Sequence, residues 1–458
     1  DNNVARLVNS DLRNVGGGIL IWGPLFDEKA DYPFNARSSY VNGAFGGAIY
    51  IGSRFNSDDM TTSYSENKIE VGLGVNNSLM IDGALVEFEE KDTFVCTNNE
   101  AQNYQGHAST RGAKGGAIYV GDYTSLIVAG YFNSNQSYAK FFQDVDAGHS
   151  AGDFSQGGAI FMKNTLSRLQ VRGGGDRKNY SNSTEFSNNK AGSGGAIFVD
   201  GNTDKTMSPH IGGSDALLTT RDYGYNILFQ NNSAISYGGA IYTKRNMTIN
   251  GAGGVAAGSM LGYGGEFPVR IWSNAAGYGG GGINLDLPSA TPLTNPEERN
   301  VLMVRASFRK NTVGDKITDD NRKDIRGGGA VYSNSADLNV VQGVEFLDNI
   351  AYNSNGGGIV MVHPLTSGNR YFISDLDNVT YNAQGVGVDF TNVNGPFTYD
   401  TNFTYAANTD MLTRFSGNKT IVDQDILDSE SGSGETQVED GKTFRTKETL
   451  MGTAWIDG

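Results

Sequence analysis

Five times along the chain two glycines are followed by alanine, isoleucine and an aromatic residue. The copies are Gly46-Gly47-Ala48-Ile49-Tyr50, Gly115-Gly116-Ala117-Ile118-Tyr119, Gly157-Gly158-Ala159-Ile160-Phe161, Gly194-Gly195-Ala196-Ile197-Phe198 and Gly238-Gly239-Ala240-Ile241-Tyr242. Looser copies follow at Gly281-Gly282-Ile283, Gly328-Gly329-Ala330-Val331-Tyr332 and Gly357-Gly358-Ile359-Val360. Starts at 115, 157, 194 and 238 lie 42, 37 and 44 residues apart, a period that calls for a repeat architecture in place of an ordinary globular core.

A second phrase, aromatic-x-x-Asn, accompanies the first. It occurs at Phe186 and Asn189, Phe229 and Asn232, Phe308 and Asn311, Phe346 and Asn349, and Phe415 and Asn418, with a degenerate copy at Ile271 and Asn274. Phe186 precedes Gly194 by 8 residues and Phe229 precedes Gly238 by 9, so the repeating unit has two parts.

Alternation along a strand puts Ile118 and Val120 on one face and Ala117 and Tyr119 on the other, and both faces are apolar. Strands of that kind belong to parallel sheets covered on both sides. The runs are too brief for helices and recur too regularly for a sandwich. The expected fold is all-β, a single-stranded right-handed parallel β-helix over residues 45–420. With two coils in each unit of about 40 residues, stacked at ~4.8 Å, it would have about 18 coils and a length of roughly 80 to 90 Å.

Glycine pairs suit corners that need φ > 0 or a close approach of neighbouring coils. The Asn of the second phrase is expected at another corner, in left-handed geometry and bonded to the Asn of the next coil, with its Phe in the core. Both phrases are therefore read as scaffold. The column Tyr50, Tyr119, Phe161, Phe198, Tyr242 and Tyr332 lies opposite the aliphatic one and is the candidate assembly or binding face if exposed; the alternative is that loops between the motifs cover it.

Residues 1–44 read as an N-terminal cap, in which Val4, Leu7, Val8 and Leu12 stand at helical spacing and suggest a short amphipathic capping helix over 2–13. Residues 421–458 read as an acidic Ser/Gly-rich linker followed by a C-terminal tail or exchanged strand. Glycine is abundant (63) and proline scarce (9), which excludes collagen and proline-rich disorder. A net charge of -15 from dispersed carboxylates, without a basic run, argues against nucleic acid. No stretch approaches the ~18 apolar residues of a transmembrane segment. The single cysteine, Cys96, excludes an internal disulfide and reads as buried apolar filler. The start at Asp1, with no signal region ahead of it, fits a mature or excised product.

The phrases GGAI and FxxN resemble those of the chlamydial polymorphic outer membrane proteins, over roughly residues 45–418. That resemblance implies a β-helical passenger delivered by a C-terminal autotransporter barrel, and in some members an adhesin. The ending Ala454-Trp455-Ile456-Asp457-Gly458 lacks a barrel's terminal aromatic and alternating strands, so the expectation is a cleaved passenger or a relative attached in another way.

Parallel β-helices also include polysaccharide enzymes, which gather carboxylates, Ca²⁺ or a catalytic Arg in one groove. Asn202-Thr203-Asp204 and Asp319-Asp320 are similar to elements of polygalacturonases, yet the Gly-His and Arg-Ile-Lys elements due after them are missing. His107, His149, His210 and His363 have no partner at metal-ligand spacing, and Asp144, Asp146 and Asp153 lack a calcium loop around them. Nine Asn-x-Ser/Thr sequons begin at Asn76, Asn135, Asn179, Asn182, Asn231, Asn246, Asn378, Asn402 and Asn418. No cofactor is expected. The chain reads as an extracellular, non-catalytic surface protein, an adhesin or the subunit of a layer or filament, whose partners are itself, other surface proteins or glycans. The alternative is a secreted polysaccharide lyase or hydrolase.

Overall fold

The computed structural model describes segments between residues 4 and 457. They are continuous over 44–52, 95–103, 112–121, 130–139, 155–163, 184–201, 227–250, 269–287, 306–315, 325–334, 344–362 and 414–421, with shorter strands elsewhere. Every regular element among the described residues is a β-strand.

Four strands make one coil. In one of them these are Thr184–Ser187, Lys190–Ser193, Ile197–Val199 and His210–Gly212, and the chain then returns to Ile227–Gln230 at the start of the next. Each strand pairs in parallel with its counterpart one repeat later: Phe186 with Phe229, Ala191 with Ala234, Ile197 with Ile241, Ile211 with Ile249. The result is a parallel β-helix of four large sheets. They are termed here the Phe sheet (8 strands), the corner sheet (13), the glycine sheet (10) and the closing sheet (10).

Because Ile160, Ile197 and Ile241 pair directly, one repeat is one coil, not two. Ten strands in the glycine sheet, at ~4.8 Å each, span about 43 Å, half the expected length. The expectation failed because each turn carries four strands and joining segments, one of 18 residues between Thr248–Asn250 and Val269–Trp272, so about 40 residues are used in going round once.

The N-terminal helix is likewise replaced. Val4–Leu7 is a strand that pairs with Glu100–Asn103, and Asn14–Val15 and Ile19–Trp22 pair with Ala44–Phe45 and Ile49–Gly52. An open sheet edge offers unpaired backbone groups to any extended segment, which outweighs four apolar residues at helical spacing. At the far end Ala454–Asp457 pairs in parallel with Ile359–Val362 on the glycine sheet.

Inside the coil, columns of like residues stack. Phe132, Phe186 and Phe229 lie face to face with ring centroids 4.6 and 4.8 Å apart; after Ile271 the stack resumes with Phe308, Phe346 and Phe415 at 4.9 and 4.8 Å. Beside it runs an amide ladder of Asn99, Asn135, Asn189, Asn232, Asn274, Asn311, Asn349 and Asn418. Each Nδ2 up to Asn349 donates to the Oδ1 of the next rung, at 2.8–3.0 Å. The same Oδ1 accepts the backbone N–H of the rung before it. From Asn135 onward the second amide hydrogen reaches a backbone carbonyl of the preceding coil. A buried amide so placed has no unmet bonding capacity on its nitrogen.

The left-handed residue at this corner is not the Asn. It is the residue before it, at φ 52° to 57° in Asn98, Ser134, Asn188, Asn231, Ser273, Lys310 and Asp348, with Gly417 at 65°. The glycine pair divides its work. The first glycine takes the left-handed conformation, φ 61° to 66° in Gly46, Gly115, Gly157, Gly194 and Gly238. The second permits contact: a Cβ on Gly47, Gly116, Gly158, Gly195 or Gly239 would collide with the carbonyl oxygen of the second glycine one coil on.

Candidate binding face

The strands of the glycine sheet have two faces. Ile118, Ile160, Ile197 and Ile241 enter the main core, whereas Tyr119, Phe161, Phe198 and Tyr242 form a separate cluster on the other side. Their rings stack at 5.2, 5.5 and 4.7 Å, within 15° of parallel. Tyr50 takes its place by pairing with Tyr119, but its side chain lies outside the described residues. The column is covered: Phe161 and Phe198 are wholly buried, and Tyr119, Tyr242 and Tyr332 are nearly so. Lys114 Nζ lies 4.4 Å above the Phe161 ring and Lys244 Nζ 5.6 Å above that of Phe198, so cations supply part of the cover.

Two residues further along the same face stand Lys163, Asp200, Lys244, Asp286 and Asn334, one to a coil and alternating in charge up to Asp286. Lys244 Nζ lies 3.2 Å from Asp200 Oδ1. Burial would raise the Asp200 carboxyl, but Lys244, Lys114 and the Gly201 N–H together prevail and hold it below its ordinary range. The fully buried Arg245 sits beside this row and donates to the carbonyl oxygens of Asp200 and Lys163, at 2.8 and 3.1 Å, tying successive coils together.

The aromatic column breaks at Asn284, which pairs with Tyr242 on one side and Tyr332 on the other. Asn284 is 0% exposed, and neither side-chain atom has a hydrogen-bond partner among the described residues. Such a group costs about 1–3 kcal/mol. Around it the chemistry is polar. Tyr242 Oη donates to Asp286 Oδ2 at 2.8 Å and Asn334 Nδ2 to Asp286 Oδ1 at 2.7 Å. Burial and the Asp286 carboxylate push the Tyr242 phenol far up, so it stays a donor. Burial also raises Tyr332, against the opposing pull of Arg326. The Arg326 guanidinium lies 4.7 Å from the Tyr237 ring centroid and 5.9 Å from that of Tyr332.

A second polar group decorates the outside of the Phe sheet. Trp272 lies between Arg270 and Arg309, at 5.3 and 5.2 Å, and donates to Ser307 Oγ, which bonds to the buried Glu345. Glu345 also accepts from Arg309 Nε at 2.7 Å, so the Trp272 ring and the carboxylate are already engaged.

Of the earlier candidates, the side chains of His107, His149, His210 and His363 lie outside the described residues, as do Asn202-Thr203-Asp204, Asp319-Asp320, Asp144, Asp146 and Asp153. Among the described residues no group of three or more His, Cys, Asp or Glu is placed to hold a metal, and no helix is long and apolar enough to cross a membrane. Cys96 is buried, and it occupies a place in the Phe column by pairing with Phe132. The sequons at Asn135 and Asn418 are rungs of the amide ladder, buried and bonded.

Three site features escaped the motif reading. The rung Cys96–Asn99 escapes the phrase because its first residue is not aromatic, and Phe132–Asn135 keeps the phrase but stands 25 residues before Gly157. Asn284 was missed because the phrase was aligned one residue late. Gly280 is the left-handed glycine and Gly282 stands in the alanine position, so the phrase is Gly280-Gly281-Gly282-Ile283-Asn284, with Asn where most other copies have an aromatic.

A family model of the Chlamydia polymorphic membrane protein repeat matches residues 183–200 and 226–244, each spanning an FxxN and a GGAI phrase. The chain therefore carries polymorphic membrane protein repeats, as the motifs implied. The matched model is described as a repeat of membrane proteins. No curated protein and no solved structure matches the chain.

Proposed function

We propose that this protein is a non-catalytic, surface-displayed β-helix that acts by contact, holding loops of variable length on a rigid rod for adhesion. The observation that carries this reading is the contrast between coil and join. From the closing strand to the next Phe strand the chain uses 12, 14, 18, 1 and 3 residues in five coils. The Phe strands nonetheless keep their pairing without slipping. A stack held by ladders inside the coil tolerates such variation, and loops on a rigid scaffold are where recognition concentrates.

Purified protein is tested for binding to cell monolayers and immobilised matrix, with light scattering and negative-stain microscopy on the same sample. Dispersed single-chain rods that bind support adhesion. Ordered filaments or sheets without binding replace it with the subunit of a surface layer, and release of reducing ends from polysaccharides overturns the non-catalytic reading.

A further inference from the structure

Asn284 is a polar residue in a column that is otherwise aromatic from Tyr119 to Tyr242 and again at Tyr332. Its Oδ1 lies beside Gly279, which bridges to Tyr237 of the corner sheet. A Cβ on Gly279 would come within 3.0 Å of Asn284 Oδ1, 3.2 Å of Tyr237 Cδ1 and 3.6 Å of Arg326 Cβ, so these groups close tightly around Gly279. A fully buried amide with both atoms unpartnered weakens the fold, and a Tyr or Phe there would continue the stack. Sites that depart from the local rule at a cost in stability are where function is expected.

We propose that Asn284, Asp286, Tyr237 and Arg326 form a recognition site for a neutral saccharide. The proposal rests on the contact reading above and names the ligand. A sugar hydroxyl both donates and accepts, and a free amide answers it with Nδ2 and Oδ1. Asp286, oriented by Tyr242 and Asn334, adds a carboxylate acceptor two residues along the same face. Tyr237 and Tyr278 are half-exposed, with ring centroids 6.1 Å apart and planes tilted by 46°, and give the C–H surface of a pyranose an aromatic wall. The single positive charge of Arg326 is balanced by Asp286, so the site selects a neutral ligand over an anionic one. Arg326 is exposed and lies across Tyr237; swinging off that ring admits the ligand.

The test uses the full chain on an array of neutral and sialylated oligosaccharides and of peptides, followed by NMR titration with the best neutral sugar. Wild type is expected to bind a neutral saccharide. Asn284→Phe is expected to bind at least tenfold more weakly while melting at the same or a higher temperature; Asn284→Ala and Arg326→Ala also lose binding, and they read the site should the Phe variant fail to fold. The proposal is overturned if no neutral saccharide binds, if binding is confined to sialylated or peptide probes, or if the Asn284 variants bind like wild type. Cell adhesion by wild type without saccharide binding removes this site and leaves the contact function; saccharide binding without adhesion does the reverse.

Discussion

Asn232 Nδ2 donates to Asn274 Oδ1 at 2.9 Å, and the same oxygen accepts the Asn232 backbone N–H at 3.0 Å. Asn232 Oδ1 in turn accepts both donors of Asn189, at 2.9 and 3.0 Å, and its second amide hydrogen reaches the Phe186 carbonyl. Replacing it with a leucine of similar volume leaves the Asn189 donors, the Asn274 oxygen and the Phe186 carbonyl short of a partner inside a dry coil. At ~1–3 kcal/mol per orphaned buried group, Asn232→Leu should cost roughly 3 kcal/mol or more. The check is the urea midpoint at unchanged m-value; a loss within 1 kcal/mol, of the order of one ordinary hydrogen bond, would show that the ladder is ornament.

The two glycines of a phrase should fail for different reasons. At Gly238 two obstacles coincide: φ is 66°, which strains alanine by about 1–2 kcal/mol, and a Cβ would also collide with the Ile241 carbonyl oxygen of its own coil. At Gly239 the obstacle is the coil beside it: a Cβ would collide with the Gly281 carbonyl oxygen and lie 2.6 Å from the Ala275 nitrogen. Asn, although it tolerates the left-handed region, should therefore be no better than Ala at either position. Melting temperatures of the four variants decide it, and rescue by Asn at Gly238 would show that strain alone, and not the collision with Ile241, excludes a side chain there.

The parts of this fold legible in sequence are those where the coil leaves one residue type no substitute. Gly239 and Asn232 are visible as motif because a Cβ or a missing amide breaks the contact with the coil beside it. The left-handed corner was misplaced by one residue because Asn188, Ser273 and Lys310 all occupy it, and such tolerance leaves no pattern. Coil length was misjudged because motif spacing counts residues and says nothing of how many lie in loops. The buried state of Phe161 and Tyr242 could not be read either, since alternation assigns a face and not what covers it. Asn284 was legible in principle, as the one Asn in an aromatic position, once Gly280 is recognised as the first glycine of its phrase.

Cys96 stands in the Phe column, and burial pushes its thiol from 9.0 up to about 12. Thiolate is the reactive form, so at pH 8 the folded protein should resist a thiol reagent that labels it fully in denaturant. The linkage has a definite sign. A folded pKa above the unfolded one means a contribution that is intact below pH 9.0 and lost as pH rises from there toward about 12. Wild type should lose stability relative to Cys96→Ala across that window, measured by urea titration; equal slopes for the two proteins would place the thiol in contact with water.

The charge row on the glycine sheet predicts the opposite pH dependence. Asp200 is held below its ordinary 3.8: burial acts to raise it and is the largest single influence, but Lys244, Lys114 and the Gly201 N–H together outweigh it. A depressed carboxyl stabilises the fold above the unfolded pKa and ceases to do so as pH falls through the folded one. The melting temperature of wild type should therefore exceed that of Asp200→Asn near pH 7, and the gap should close as pH drops below 3.8. With Asp200 and Lys244 side chains 30% and 39% exposed, solvent screens the pair, and the gap at neutral pH corresponds to roughly 0.2–1 kcal/mol. Salt near 1 M should narrow it further, since the screening length then shrinks to about 3 Å, close to the separation of the pair. A gap that is independent of both pH and salt would mean that the Asp200 side chain contributes through its hydrogen bond to the Gly201 N–H and not through its charge.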